Sequence, residues 1–180
     1  MLRIEVPMSA ERWDDEKEEF IKPEVRVLQL EHSLVSLSKW ESKWCKPFLS
    51  STKTDEETLD YIKCMTVTPN VSPDVYDHLT LANIKDIEEY INAPMTAARF
   101  PNDKNAKSNR EIITADIIYY WMITLQIPSE YQKWHLNRLL ALIRVCNIKN
   151  APPKKRSTRE IAEEHARLNA ERRKKFNTKG

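Results

Sequence analysis

Apolar and polar positions along the chain change period several times, and the changes mark out the elements. Leu2-Arg-Ile-Glu-Val6 alternates apolar and polar, the pattern of a half-buried strand. Glu24–Glu31 (EVRVLQLE) is rich in β-branched and aliphatic residues and predicts a second strand, paired with the first. Between them Ala10–Phe20 is acidic, and Pro23 punctuates the chain. Ser33 is a suitable N-cap, and from there the period turns helical, with Leu37, Trp40 and Trp44 on one stripe and Pro47 beyond its end. Thr54-Asp-Glu-Glu57 is a capping box whose acids suit the positive end of a helix dipole. The helix it opens carries Leu59, Ile62 and Met65. Past Pro69 and Pro73, Leu81, Ile84, Ile87 and Ile91 predict another helix, stopped by Pro94.

Pro94–Asn109 has the weakest pattern of the internal segments. Thr96–Phe100 and Arg110–Thr114 read as short strands of a hairpin, while Ser108-Asn-Arg-Glu111 would serve equally as a capping box. Ala115–Gln126 is apolar on nearly every side and predicts a helix buried all round. After Ile127-Pro128, Glu130–Ile148 sets Leu136, Leu139, Leu140 and Ile143 on one face and Lys133, Asn137 and Arg144 on the other. So short a link predicts an antiparallel pair of helices at the centre of the core, with Trp121, Leu139 and Ile143 buried. Ala151-Pro-Pro153 closes this body. Ser157-Thr-Arg-Glu160 is a third capping box, opening a helix to about Lys175 whose only larger aliphatic residues are Ile161 and Leu168. A stripe that thin anchors a helix weakly. The expected architecture is mainly α (α+β): a helical domain over 1–150 with short N-terminal strands, and a basic helical arm over 151–180.

Composition narrows the function. The 180 residues are 41% hydrophobic and 31% charged, the balance of a folded chain rather than a disordered one. The single glycine is Gly180. A phosphate-cradling loop needs glycines for close backbone approach and positive φ, so Walker-type loops and dinucleotide fingerprints are excluded. Cys45, Cys64 and Cys146 form no CxxC, and with Met1–Phe20 too charged for a signal peptide they predict an intracellular, reduced protein. Ile117–Ile123 is the most apolar run and too short for a bilayer, so no membrane association is expected. From Lys149 to Lys179 there are eleven Lys/Arg against four Asp/Glu, a charge of +7. The remaining eighteen against twenty-three give −5. A basic tail on an acidic body points to an anionic partner surface.

Candidate chemistry is sparse. His32, His78, His135 and His165 lie far apart in sequence, and none has the spacing of a zinc site; they read as structural or exposed. Cys64 and Cys146 sit on apolar helix faces as small hydrophobes. Carboxylate clusters such as Asp14-Asp15, Glu56-Glu57 and Glu88-Glu89 fit solvated faces and helix starts, and Asp116 fits a first turn. No nucleophile, base and oxyanion donor come together, so no catalytic residue, metal or cofactor is expected. Trp40 and Trp44, interleaved with Lys39, Lys43 and Lys46, match a base-stacking platform on one reading and a core-facing stripe on the other, which the four-residue spacing favours. Tryptophan also anchors interfaces, so both are candidate partner-binding residues. Lys154-Lys-Arg156 and Arg172-Arg-Lys-Lys175 bracket the tail helix, where Arg167, Arg172 and Arg173 are the candidate contacts to acidic segments of a partner.

Four blocks carry a family resemblance. They are IITADIIYYWMITLQIPSEYQKWHLNRLLALIRVCNIKN after Glu111, LQLEHSLVSLSKWESKW (Leu28–Trp44), EEYINAPMT (Glu88–Thr96) and ARLNAERRKK (Ala166–Lys175). Together they resemble the tail assembly chaperones of long-tailed, siphovirus-like bacteriophages. The resemblance implies a non-enzymatic protein that binds the phage tape measure protein and assists recruitment of the major tail protein. It implies work in the host bacterial cytoplasm and absence from the mature virion; a homo-oligomer is left open. The alternative is a small nucleic-acid-binding or regulatory protein that uses the basic arm.

Overall fold

The computed structural model describes residues 1–9, 12–14, 19–21, 24–100, 111–151 and 158–177, excepting the side chains of 12–14, 19–21, 158 and 160–161. The chain divides into two units, Met1–Cys146 and Asn147–Gly180. As expected, the fold is mainly α with a small N-terminal antiparallel β element.

In the first unit β1 (Leu2–Pro7) pairs antiparallel with the later strand Val25–Leu30, in the register Leu2↔Leu30 to Pro7↔Val25. Period-2 alternation puts Ile4 and Val6 of one strand and Leu28 and Leu30 of the other into the core. Between them β2 (Arg12–Asp14) and β3 (Glu19–Ile21) form a short ladder that the acidic composition of Ala10–Phe20 did not predict. Trp13, Phe20 and Ile21 are good strand formers, which accounts for it. The strand Val25–Leu30, β4, also bonds along its other edge: Val67 donates to the Gln29 carbonyl and Glu31 to the Met65 carbonyl.

The helices pack on this ribbon. For α1 (Leu34–Trp44), Ser33 and Ser36 form the N-terminal capping box, and Leu34, Leu37 and Trp40 face inward. For α2 (Asp55–Met65) the predicted Thr54/Glu57 box is formed, and Tyr61, Ile62 and Met65 are buried. A 3-10 turn over Pro73–His78 leads to α3 (Leu81–Asn92), capped by Thr80 and Asn83. Leu81, expected on the buried stripe, is instead 90% exposed. Asn83 takes the inward position in that turn, because its amide donates to the Glu5 carbonyl of β1.

The expected hairpin over Thr96–Phe100 and Arg110–Thr114 does not form: 93–100 and 111–114 have no regular structure, and Ser108 and Arg110 lie outside the described residues. α4 (Ala115–Thr124) buries Ala115, Ile118 and Met122, but Tyr120 and Ile123 are 64% and 77% exposed and Trp121 is half-buried. The apolar run is therefore buried on one stripe rather than all round.

The long helix expected over Glu130–Ile148 is broken in two. Ser129–Lys133 is a 3-10 turn, Trp134 is extended, and α5 (Leu136–Asn150) starts after His135. Leu136, Leu139 and Ile143 are buried as predicted. Asn137, expected outward, donates to the carbonyls of Ile91 and Ala93 and so satisfies the end of α3. The expected central α4–α5 pair does not form: these two helices make no extensive contact with each other, because the 3-10 turn and extended Trp134 between them carry the chain to other neighbours. The most extensive helix packing belongs to α1, against α2 and then α4.

The division between the units falls inside α5. In the second unit α6 (Thr158–Phe176) is a 19-residue helix. The cap expected at Ser157 lies outside the described residues.

Candidate partner-binding site

The tryptophan stripe belongs mainly to the core. Trp40 is fully buried, donates its indole N–H to the Glu57 carbonyl at 2.8 Å and meets Phe48 edge-on at 5.1 Å. It offers no surface to a partner, which corrects its candidacy as a contact. Trp44 is half-buried, and its indole donates to Asp60 Oδ2 at 2.9 Å. Lys43 pairs with the other Asp60 oxygen and stands 5.5 Å from the Trp44 ring. Burial pushes the Asp60 carboxyl up, but the bonds from Lys43 and Trp44 outweigh it and hold the group below the usual carboxylate range. Lys46 pairs with Glu57, and that bond, with the Thr54 backbone N–H, lowers Glu57. Two of the interleaved lysines thus tie α1 and the turn that follows it to α2.

The arginines of the arm are in the open. Every described side chain of α6 is exposed except Glu164, which is half-buried. Arg167 lies 4.0 Å from Glu171 one turn on, an exposed pair of small energetic weight. Arg172 and Arg173 sit in the last turns with Lys174 and Lys175, where positive charge complements the negative end of the helix dipole.

The fold brings together residues whose sequence separation hid them. His32 and His135 lie 5.1 Å apart, ring edge to face. His32 Nδ1 is 2.6 Å from the Tyr61 hydroxyl. His135 Nε2 lies 2.9 Å from the Tyr90 carbonyl, which can only accept, so this nitrogen carries the proton. Its Nδ1 accepts from the Asn137 N–H, as an N-cap side chain does, and His135 thereby opens α5. Burial, and then His135, lower His32 to about 3. Burial lowers His135 as well, against the Tyr90 bond and Glu31. The nearest sequence signal is that both histidines stand just ahead of a helix start. Ser33 and His135 form a bridge, and Leu136 donates to the His32 carbonyl at 2.7 Å.

Beside this pair opens a cleft of about 300 Å³, with Glu31, Tyr90, Lys133, Trp134 and Arg138 in its lining. Glu31 accepts from the Tyr90 hydroxyl at 2.7 Å and pairs with the Met1 amino group. Trp134 stacks on Tyr131 at 4.0 Å and 14°, and the Arg138 guanidinium lies over the Trp134 ring at 4.0 Å. This three-residue stack was also hidden from the sequence reading, which ran one helix straight through it.

No group of His, Cys, Asp and Glu among the described residues is arranged to hold a metal ion, and no described helix is long and apolar enough to cross a membrane. No family model, curated protein or solved structure matches the chain.

Proposed function

We propose that this chain is a non-enzymatic binding protein of the tail assembly chaperone kind, which holds a phage tape measure protein soluble and assists recruitment of the major tail protein. The observation that carries this reading is the arm. A 19-residue helix rich in arginine and lysine keeps almost all its described side chains in solvent. A surface of that kind attracts acidic segments at long range. The buried and half-buried polar groups Glu41, Glu57, Asp60, His32, His135 and Asn137 of the first unit, by contrast, hold elements together as caps or bridges. The four sequence blocks that resemble the phage family supply the identity of the partner.

The test is co-expression with the tape measure protein of the same phage. The expected result is that the tape measure protein becomes soluble and is recovered in pull-downs of this chain together with the major tail protein. Equal solubility with and without this chain, and recovery of neither tail protein, would overturn the assignment. The charge of the arm also supports a second reading, nucleic-acid binding. Salt-dependent retention on DNA that is abolished by removing Lys154–Gly180 would favour it.

A further inference from the structure

The protein-binding reading leaves open where a partner's acidic groups dock on the first unit. Three features of the cleft beside His135 bear on this. The first is the stack of Tyr131, Trp134 and Arg138. Stacking takes up a face of the guanidinium and fixes its plane, while the N–H edge stays available for a bidentate acceptor. Arg138 makes no ion pair among the described residues. The second is Lys133, which lines the same cleft and has no ion pair among the described residues either. The third is Glu31, the acid of the cleft, which is held by the Tyr90 hydroxyl at 2.7 Å. Its other oxygen pairs with the Met1 amino group, and it forms no ion pair with either cation.

We propose that this cleft binds a carboxylate side chain of a protein partner, presented by an acidic segment with an apolar residue beside the acid. The carboxylate takes the guanidinium edge of Arg138, with Lys133 as the second cation, and the apolar neighbour lies against Trp134 and Met95. Met95 stands in the cleft lining with its backbone in the left-handed region at φ 48, a strained conformation for a residue with a side chain. Charge complementarity selects a peptide over a nucleic acid. A space of about 300 Å³ admits one or two side chains, and a polyphosphate strand would also meet Glu31 and the −5 charge of residues 1–148. A single carboxylate needs only the guanidinium edge and Lys133, and the charge of Glu31 is offset by the Met1 amino group.

The experiment is an NMR titration of the full chain with an N-acetylated, C-amidated hexapeptide alternating leucine and glutamate. Its glutamine counterpart and a thymidylate hexamer are the comparison probes. The readouts are the Trp134 indole N–H, identified by its loss in Trp134→Phe, and the Arg138 Nε–H. The acidic peptide is expected to shift both saturably and the glutamine peptide to leave both unmoved. Arg138→Lys, which keeps the charge and loses the stacked fork, is expected to weaken binding about tenfold. Lys133→Gln is expected to weaken it several-fold, and both side chains are exposed, so neither change should move the thermal midpoint. Unmoved resonances, equal binding of the glutamine peptide, unchanged affinity in both variants, or tighter binding of the thymidylate at the same resonances would each overturn the proposal. The proposal rests on the protein-binding reading but fails separately from it. If the tape measure protein is solubilised while the peptide moves neither resonance, the cleft is wrong and that reading stands; if the peptide binds as described and the tape measure protein stays insoluble, the cleft stands without that partner.

Discussion

The Glu41 carboxylate of α1 caps α4 across the core: its Oε2 accepts the Ala115 N–H at 2.7 Å, and its Oε1 accepts the Phe48 N–H, also at 2.7 Å. The local N-cap of α4, Thr114, makes no side-chain cap bond, so the acceptor for the Ala115 N–H comes from 74 residues away and adds its charge to that of Asp116 in the first turn. Glu41→Ala leaves two backbone donors without acceptors and is expected to cost about 2 kcal/mol, read as a lowered urea midpoint at unchanged slope. Glu41→Gln keeps one acceptor oxygen and should fall between. A loss within error for the alanine variant would show that water replaces the carboxylate at no cost.

The histidine pair sets a pH dependence. Folded His32 sits at about 3 and folded His135 below its usual range, while both return to about 6.5 on unfolding. The unfolded chain therefore binds more protons below pH 6.5. The stability present above that pH is lost as pH falls toward the folded values. For His32 alone the loss between pH 6.5 and 5 is about 1.5 kcal/mol. Groups facing the pair are the Tyr61 hydroxyl from α2, the Tyr90 carbonyl from α3, and Glu31 with the Met1 amino group. Urea midpoints measured across that window should fall in the native chain and fall less steeply in His32→Gln, where His135 alone remains. A native chain equally stable at both pH values would show that the pair is hydrated.

With no glycine before residue 180, left-handed backbone positions fall to other residues: Cys45 at φ 51, Asn70 at 55, Met95 at 48, Gln126 at 54 and Asn177 at 49. Asparagine tolerates this region; Cys45 and Gln126 bear a β-carbon clash without that compensation. Cys45 ends α1 and its side chain is exposed, so Cys45→Gly loses little packing. The change is expected to raise stability by about 0.5–1 kcal/mol, the relief of the clash less the added freedom of the unfolded chain. A lowered thermal midpoint would show that the thiol contributes more than its exposure implies.

The arm should be separable from the body. Ending the chain after Ala151 is expected to leave the thermal midpoint within about 2 °C while weakening partner capture, because the described side chains of α6 are almost all exposed. Reversing the charge of Arg167, Arg172 and Arg173 should slow association and flatten its salt dependence with the fold intact. A body that unfolds on truncation would make the arm part of the core.

The sequence by itself determined the elements whose information is local. Alternation placed the first N-terminal strand, β-branched and aliphatic content the second, and four-residue spacing put Trp40 inward. The Thr54/Glu57 box opened α2 where expected, since a capping box brings its own donors and acceptors within four residues. Only the tertiary structure decided the rest. The break at Trp134–His135 answers to His32 and Tyr90, both distant in sequence, because Leu136 takes the His32 carbonyl and His135 the Tyr90 carbonyl. Likewise the apolar run of α4 is buried on one side only, and Asn137 turns inward to the end of α3. Periodicity records which faces of a helix are apolar. It does not record how many neighbours arrive to cover them, nor which distant carbonyl an amide or imidazole will satisfy.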